Sequence, residues 1–384
     1  MSAHPRLLSV RIRGYRPFKD FEAQLGPVEV LVGANGAGKS SLFDFLRFLR
    51  DTARERSLPP EIVPGSIGQQ IFHRPGPERF SWILSAATGR PLPIRYEGEV
   101  MGPIGRPQVS FERVTNVDEY RFMDFAGGRG VLQEPETELG PQEIAWPSNQ
   151  LVLGTVTLPE LATVYNLREY ILGWRFYDSL NIAADKIRKS VLIEQNPVLR
   201  EDAGNLSSVL HYLFTEHLPL FDELQQHLRS SIPGFKRLTV RARGGPGEVI
   251  AFWEEEGIDK ELTLADLSDG ILRLILWTVL CVQPNPPPLI CIDEPDQGVH
   301  PRTLPILAGL FEKATERTQF LLTTHASYFL MQFDISRIAV MRKTGGEAVF
   351  LKPKDSKTLR DNLSDFGPEE LEIMHRTDEL ERLA

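Results

Sequence analysis

The feature that most constrains the fold is a glycine-rich loop, Gly33-Ala34-Asn35-Gly36-Ala37-Gly38-Lys39-Ser40-Ser41. Its first eight residues match the phosphate-loop pattern Gly-x-x-x-x-Gly-Lys-Ser at every fixed position. The apolar run 28–32 before it predicts a buried strand, and apolar residues at helical spacing over 41–50 predict a helix after it. Strand, loop and helix in this order are the context that the motif requires. A chance glycine-rich turn is the alternative, and this context disfavours it.

The residue types in this loop suit a phosphate group. Glycine lets the backbone approach a phosphate without a Cβ clash, and a helix N-terminus directs N–H groups and partial positive charge at it. Lys39 is expected to reach the β- and γ-phosphates of a nucleotide, and the Ser40 hydroxyl to bind Mg²⁺. The predicted nucleotide-binding residues of the loop are Gly33, Asn35, Gly36, Ala37, Gly38, Lys39, Ser40 and Ser41.

Composition bounds the class of protein. The 384 residues can bury a large core and could form one large domain or two to three ordinary ones. An apolar share of 41% and a charged share of 25% are ordinary for a soluble globular protein. A net charge of −9 is atypical of a nucleic-acid coat, although a local basic groove is compatible with it.

Three features predict a soluble, cytoplasmic protein without membrane insertion. Cys281 and Cys291 lie in apolar runs, which favours buried thiols over a disulfide or metal site. Residues 1–5 do not begin a secretory apolar segment. The longest apolar stretch, 272–282, has 11 residues and includes Arg273, so it is too short to cross a bilayer.

Periodicity and turn residues predict alternating strands and helices. Strands are predicted at 7–13, 21–25, 28–32, 80–84, 94–100, 108–114, 170–177, 235–243, 248–255, 289–292, 319–323 and 337–341. Helices are predicted at 41–50, 206–214, 218–228, 267–282, 304–315 and 327–331. Asn205 and Ser268 are the expected N-caps of two of these helices. Residues 125–150 predict a long surface loop, and the end from Pro368 predicts an acidic helix that is either solvated or partner-binding.

Two adjacent carboxylates, Asp293 and Glu294, directly follow the apolar strand 289–292. A continuously apolar strand is typical of a parallel sheet, and ligands bind at the carboxyl end of such strands. Asp293 is placed to hold Mg²⁺, and Glu294 to orient and deprotonate an attacking water. A solvated acidic strand end is the alternative, which the phosphate loop elsewhere in the chain disfavours.

Two further segments lie where phosphate chemistry would need them. Leu267-Ser268-Asp269-Gly270 opens a predicted helix and so forms a second helix N-terminus that can face a phosphate. Thr323-Thr324-His325 follows a predicted core strand, as expected for a group that senses a γ-phosphate. A lone histidine is more often structural, but its place after a core strand favours function.

In order, these four segments resemble the phosphate loop, signature, Walker B and switch histidine of ABC-type ATPases. Details are similar to the RecF/SMC/OLD-like branch, particularly to standalone bacterial AAA ATPases of the AAA_21-like kind. The resemblance covers about residues 6–50 and 200–345. The further matching segments are Asp-Glu-Pro-x-x-Gly-x-His-Pro at 293–301, Thr-Gln-Phe at 318–320, His73-Arg74 and Asn205-Leu206.

The resemblance implies an α/β P-loop fold with a mixed or parallel core sheet, an antiparallel β subdomain and an inserted, largely helical lobe. It implies hydrolysis of ATP with Mg²⁺, in which Lys39, Glu294 and His325 are catalytic and Ser40 and Asp293 hold the metal. The implied segments are 1–124 for the first half of the ATPase core, 125–234 for the inserted lobe, 235–348 for the second half and 349–384 for an acidic tail helix.

The resemblance also implies an ATP-gated, head-to-tail homodimer or higher oligomer. Ser268 and the Gly270 backbone of one subunit would close on the ATP held by another. Asp269 would then place a negative charge near a phosphate, so Asp269→Gly is expected to retain ATP binding and to alter dimerisation or turnover. Gln69 and Gln70 are both candidates for the glutamine that reaches the metal.

The departures from transporter ATPases concern the signature and the spacing. Asp269 and Ile271 replace a glycine and a glutamine, His300 replaces the D-loop aspartate, and Leu267 lies 234 positions after Gly33. These differences favour a switch or motor in DNA repair, DNA maintenance or anti-phage defence. A subunit that energises a membrane transporter is the alternative.

Partners beyond ATP are less constrained. A group of basic residues in the middle of the chain could contact DNA or form a solvated mixed-charge surface. The 39 residues after position 345 are too few for a nuclease domain, so an effector nuclease or toxin is expected on a separate chain. The basic residues are Lys186, Arg188, Lys189, Arg200, Lys236, Arg237, Arg241 and Arg243.

Overall fold

The computed structural model describes residues 4–55, 58, 71–103, 106–135, 137–178, 184–243 and 245–353. These residues form two compact units. Unit 1 runs to Trp174 and resumes at Ser336, and unit 2 spans Arg175–Ile335. Gln69, Gln70 and the helix predicted from Pro368 lie outside the described residues.

Strands and helices alternate along the chain, as the sequence predicts for an α/β protein. Strands β1 to β18 span, in order, Arg6–Tyr15, Phe18–Gln24, Val28–Val32, Arg79–Ala87, Ile94–Met101, Gln108–Asn116, Arg121–Ala126, Arg129–Leu132, Gln142–Ala145, Arg175–Asp178, Val191–Leu192, Phe235–Ala242, Glu248–Glu255, Leu262–Thr263, Leu289–Asp293, Gln319–Thr323, Ile338–Thr344 and Glu347–Leu351. Helices α1 to α8 span Lys39–Glu55, Ala162–Leu172, Ala184–Ile187, Leu206–Glu216, Leu218–Ser231, Asp269–Val282, Leu304–Ala314 and Ser327–Leu330.

Unit 1 contains an eight-stranded antiparallel sheet in the order β2-β1-β4-β5-β6-β7-β8-β9. Alternate residues of β4 are buried, as expected for a sheet with one face on a core. Its inward-facing Phe80 makes edge-to-face ring contacts with Phe45 and Phe48 of α1. Such pairs add about 0.5–1.5 kcal/mol each beyond the apolar area they bury. The helix that follows the phosphate loop is therefore fixed by aromatic packing on this sheet.

The prediction of a loop over 125–150 is wrong in part, because β8 and β9 extend the antiparallel sheet in this segment. Gly127 and Gly128 have φ values of 59° and 81° and form the two-residue turn between β7 and β8. A Gly-Gly pair at this spacing is a hairpin turn, since both central residues of a type I′ turn need positive φ. Glycine content was therefore a sign of a hairpin in this segment.

The strand predicted over 170–177 is also wrong in its first half, where α2 ends at Leu172 and β10 begins at Arg175. The buried residues Val164, Leu167 and Ile171 follow the helical period. The helix N-terminus is held by a distant acid, because buried Glu134 accepts the Thr163 N–H at 2.7 Å. A cap from 29 residues upstream leaves no local sequence signal.

Two groups of parallel strands carry the motifs to strand ends. In unit 1, the fully buried β3 pairs in parallel with β17. In unit 2, β15 pairs in parallel with β10 and with β16. The mixed α/β fold class, with parallel and antiparallel sheets, is confirmed. The phosphate loop follows β3, and Asp293 is the last residue of β15.

Unit 2 also contains the predicted hairpin of β12 and β13, extended by β11 and β14. Helix α4 begins where predicted, and α6 begins two residues later than predicted, directly after its expected N-cap Ser268. The capping role of Asn205 is wrong, because its side chain does not bond the α4 N–H groups. Its oxygen accepts the Arg200 N–H at 2.9 Å, and its amide donates to Val198 O at 3.0 Å, so it organises the preceding turn.

Two remaining predictions concern the thiols and membranes. Cys281 and Cys291 are buried, as predicted. None of the helices in the described residues combines the length and apolar character that a bilayer span requires.

Candidate functional site

The phosphate loop lies in unit 1 between buried strand β3 and the first residue of α1, Lys39. Gly33 has a φ of 148°, and a Cβ at this position would lie 2.0 Å from the Met341 carbonyl oxygen. Only glycine fits such a close approach of two backbone segments. The loop is therefore fixed at its first residue by strand β17, while Ala34, Asn35 and Gly36 are exposed.

Lys39 is buried, and its ammonium group donates hydrogen bonds to the Gly33 and Ala34 carbonyl oxygens of the loop. The next residue, Ser40, is exposed in the first turn of α1. The first N–H groups of a helix have no carbonyl acceptor within that helix. A cation held against the loop, an exposed hydroxyl and these N–H groups form a donor set that fits a phosphate oxygen.

The His73-Arg74 segment is fixed to the turn between β1 and β2. The His73 N–H donates to the Gly14 carbonyl at 2.8 Å, and its Nδ1 atom lies 2.7 Å from the Arg16 carbonyl oxygen. The Arg16 side chain, in turn, pairs with Asp44 of α1. His73 thus ties this segment to the turn, which is a structural role.

In unit 2, strands β15 and β16 end side by side, with Asp293 opposite Thr323 in the register. The buried Thr323 hydroxyl donates to the Asp293 Oδ1 atom and lies 3.1 Å from the Glu294 N–H. The Thr323 carbonyl accepts the same N–H at 3.1 Å. One threonine therefore orients both carboxylate residues that the sequence predicts to be functional.

Glu294 has a left-handed backbone conformation, with φ at 51°. For a residue with a Cβ this conformation costs about 1–2 kcal/mol, and such strain is concentrated at functional sites. Its Oε1 atom lies 4.0 Å from His325 Nε2, and the two side chains are 33% and 40% exposed. That separation is too long for a hydrogen bond, so the Glu294 carboxylate stays accessible as an acceptor beside the histidine.

The segment that carries His325 is fixed by Thr324 and Asp296. The Thr324 hydroxyl donates to Asp296 Oδ1 at 2.7 Å and accepts the Ala326 N–H at 2.9 Å. Burial raises the pKa of Asp296 above its ordinary value, and the hydrogen bond from Thr324 opposes that shift. The hydrogen bonds of Thr323 and Thr324 thus join the loop after Glu294 to the segment around His325.

The predicted signature opens helix α6, and the Ser268 hydroxyl caps it by accepting the Ile271 N–H at 3.4 Å. One face of this helix contacts the loop that follows Glu294. Gly270 lies so close to Gly298 that an added Cβ would be 2.2 Å from its carbonyl oxygen. Further along that face, Arg273 donates to the Gln297 carbonyl and Trp277 to the Pro295 carbonyl. The signature and the Glu294 loop are therefore held as one piece.

Comparison with known proteins identifies the family. A family described as "AAA domain, putative AbiEii toxin, Type IV TA system" matches residues 131–331, more than half of the chain. The chain belongs to this family, AAA_21. A second model, described as "AAA ATPase domain", matches residues 6–88, which include the phosphate loop. No curated protein matches the chain in sequence.

Two solved structures share the fold of this AAA ATPase. A structure of the SmcHead bound to the C-winged helix domain of ScpA has 12% identity and a TM-score of 0.53, over 90% of this chain and 97% of that one. An Smc head domain with an extended coiled coil, bound to the C-terminal domain of ScpA derived from Pyrococcus furiosus, has 12% identity and a TM-score of 0.53, over 94% and 100%. Together, the two family matches and this shared fold support a P-loop ATPase of the RecF/SMC/OLD-like kind.

Within unit 2 of the AAA ATPase, the structure brings Asp293, Glu294 and His325 close to one another. The loop residues Gly33 to Ser41 lie in unit 1, and Ser268 and Gly270 lie in unit 2. Two features were not predicted from the sequence. One is the role of Thr323 in orienting the carboxylate residues, and the other is the position of Asp178 opposite Asp293 in the register of β10 and β15. The signal for Thr323 was available, since it is the last residue of a predicted strand directly before Thr324-His325.

Five of the eight basic residues in the middle of the chain form ion pairs with carboxylates. Arg241, for example, pairs with Glu261 at 2.6 Å and lies over the Phe252 ring. Such pairing reduces the positive field that DNA would require. The other ion pairs of this group are Lys186–Asp202, Arg188–Asp269, Arg200–Glu194 and Arg237–Glu254.

Proposed function

We propose that this AAA ATPase hydrolyses Mg·ATP with the residues that its motifs contribute. The phosphate loop from Gly33 to Ser41 holds the triphosphate, with Lys39 as its cation. Asp293 and Ser40 hold Mg²⁺, which neutralises phosphate charge when it is bound. Glu294 orients and deprotonates the attacking water, and His325 senses the γ-phosphate.

The observation that carries this proposal is the Thr323 bridge between the two carboxylate residues. With its Oδ1 atom accepting from Thr323, Asp293 keeps its second oxygen for a metal ion or a metal-bound water. Glu294 keeps an accessible carboxylate next to a histidine, as a general base needs. The two neighbouring carboxylates have different partners, so Asp293 is suited to hold the metal and Glu294 to act as the base.

The donor set supports Mg²⁺ as the metal. Hydroxyl and carboxylate oxygens suit this ion, which takes one or two protein ligands and completes its shell with phosphates and water. Among the described residues there is no group of three or more His, Cys, Asp or Glu side chains arranged to hold a metal. A metal that depends on the nucleotide for ligands fits this arrangement better than a resident structural ion.

The proposal includes an ATP-gated, head-to-tail dimer, in which Ser268 and Gly270 act on the nucleotide of the other chain. Supporting it, Ser268 and Asp269 are exposed at the N-terminus of α6. Mixing two inactive variants tests it, Lys39→Ala in the phosphate loop and Ser268→Arg in the signature. A head-to-tail dimer has one intact pair of phosphate loop and signature in each mixed dimer, so part of the activity returns. Activity that stays absent on mixing contradicts the dimer, provided that both variants fold.

For the biological role, we propose a switch or motor in anti-phage defence or DNA maintenance that acts through a separate effector chain. The family description, which names a toxin of a toxin–antitoxin system, supports a defence role. The ScpA-bound Smc heads are relatives in fold that bind a partner protein. Pull-down from the source cell with a tagged Glu294→Gln chain and ATP tests this role. Recovery of a nuclease or toxin supports it, whereas recovery of a membrane transporter would favour the alternative.

A further inference from the structure

Arg188, just after α3, holds the first residues of the signature. Its Nη2 atom donates to Asp269 Oδ1 at 2.9 Å and lies 3.3 Å from the Leu267 carbonyl oxygen. The two residues of this ion pair are 81 positions apart in the chain. One guanidinium therefore contacts the signature on both sides of Ser268.

The Arg188–Asp269 ion pair contributes little to the stability of the fold. The Asp269 side chain is 69% exposed and that of Arg188 is 32% exposed, and exposed pairs of this kind contribute little to stability. An acid in the first turn of a helix is already stabilised by the helix dipole. The start of α6 therefore does not need Arg188 in order to fold.

The ion pair does matter if this helix N-terminus meets an anion. In the proposed dimer, Asp269 would bring a full negative charge toward a triphosphate and oppose the helix dipole that attracts it. The repulsion between the two anions grows as closure excludes water and lowers the local dielectric. A cation bonded to Asp269 removes most of this opposition.

We propose that Arg188 is a positioning residue of the signature, which neutralises Asp269 so that the helix N-terminus can receive a triphosphate. This inference rests on the proposed function, because it needs ATP-dependent closure of two chains. It explains how a signature with aspartate in place of glycine can work. The necessary cation comes from a segment far away in the sequence, where no motif would reveal it.

A double-mutant cycle tests the proposal with Arg188→Ala, Asp269→Asn and the double variant. The readouts are kcat and KM for ATP, and ATP-dependent association of the same variants in a Glu294→Gln background, measured by sedimentation velocity. Arg200→Ala is the matched control, since Arg200 forms a surface ion pair with Glu194 and not with a residue of the signature. Thermal unfolding shows whether each variant folds.

We expect Arg188→Ala to lower kcat and association about tenfold, equivalent to about 1.4 kcal/mol, with KM changed little. Asp269→Asn should restore most of that loss in the double variant, because no charge is then left to neutralise. Arg200→Ala should behave as wild type. A double variant as inactive as Arg188→Ala overturns the proposal and favours direct contact of Arg188 with phosphate.

Failure of this inference is distinguishable from failure of the proposed function. If wild type does not hydrolyse ATP, or if Glu294→Gln does not slow hydrolysis, the proposed function is wrong. If wild type hydrolyses ATP and Glu294→Gln slows hydrolysis, but Asp269→Asn gives no rescue, only the role of Arg188 is wrong.

Discussion

The close approach of Gly270 and Gly298 gives the most quantitative prediction. In Gly270→Ala, the new Cβ would lie 2.2 Å from the Gly298 carbonyl oxygen, whereas real Cβ atoms essentially never come closer than 3.0 Å. Both atoms belong to backbone, so the start of α6 and the loop after Glu294 must separate by about 1 Å. The turn of this loop is closed by a hydrogen bond from the Gln297 N–H to the Glu294 carbonyl, so the shift reaches the proposed base.

A misplacement of about 1 Å in a catalytic arrangement can cost on the order of 100-fold in rate. We therefore expect Gly270→Ala to lower kcat by about that factor, while fluorescent ATP analogues still bind, because the phosphate loop is untouched. Gly309→Ala is the matched control, a helix glycine in α7 whose added Cβ would meet no atom within 4 Å beyond its chain neighbours and its own helix backbone. It should keep full activity and gain about 0.5–1 kcal/mol of stability from helix propensity. A Gly270→Ala chain with kcat within twofold of wild type would refute the coupling between α6 and the Glu294 loop.

Three further predictions follow from buried polar groups. Thr323→Val removes the donor to Asp293 and one of the two acceptors of the Glu294 N–H, so kcat should fall about tenfold and the free energy of unfolding by about 1–3 kcal/mol. Thr278→Val, whose buried hydroxyl donates to the Leu274 carbonyl instead, should affect stability alone. Equal kcat in the two variants would contradict the bridge. Burial raises the pKa of Glu112 to about 7 from 4.5. Because the folded state then binds a proton more tightly than the unfolded state, the free energy of unfolding should fall by up to about 3 kcal/mol as pH rises from 4.5 to 7. In denaturant titrations Glu112→Gln should lose this pH dependence, and an unchanged dependence of unfolding free energy on pH would count against the prediction. Lys352→Met removes the ammonium group that lies 2.6 Å from the buried Glu29 carboxylate and should lower the free energy of unfolding by about 3–5 kcal/mol in denaturant titrations. Adding Glu29→Gln should partly restore it. A loss below about 1 kcal/mol would contradict a stabilising role for this ion pair.

Local signals predicted the elements that carry the motifs. Strands β3 and β15 were predictable because continuous apolar runs end at a glycine-rich loop and at Asp293. Helix α6 was predictable because Ser268 caps an apolar stretch. In each of these segments the signal lies within about ten residues, so periodicity and capping were sufficient to predict the secondary structure.

The parts that sequence reasoning missed depend on distant partners. Helix α2 is capped by Glu134, and Asp269 is paired with Arg188. The Thr323 bridge to Asp293 joins strands 30 residues apart. Motif spacing named the charged residues, but only the fold shows which neutral or oppositely charged side chain orients each one.

Glu294 is proposed to be the general base of an ATPase whose two chains close on ATP. The most direct measurement compares wild type and Glu294→Gln for steady-state ATP hydrolysis and for association in sedimentation velocity with Mg²⁺ and ATP. Lys39→Ala is the control that should bind no nucleotide. We predict that Glu294→Gln hydrolyses ATP at least about 100-fold more slowly, still binds it, and accumulates as an ATP-dependent dimer. Hydrolysis at the wild-type rate, or a monomer with ATP bound, would contradict the claim.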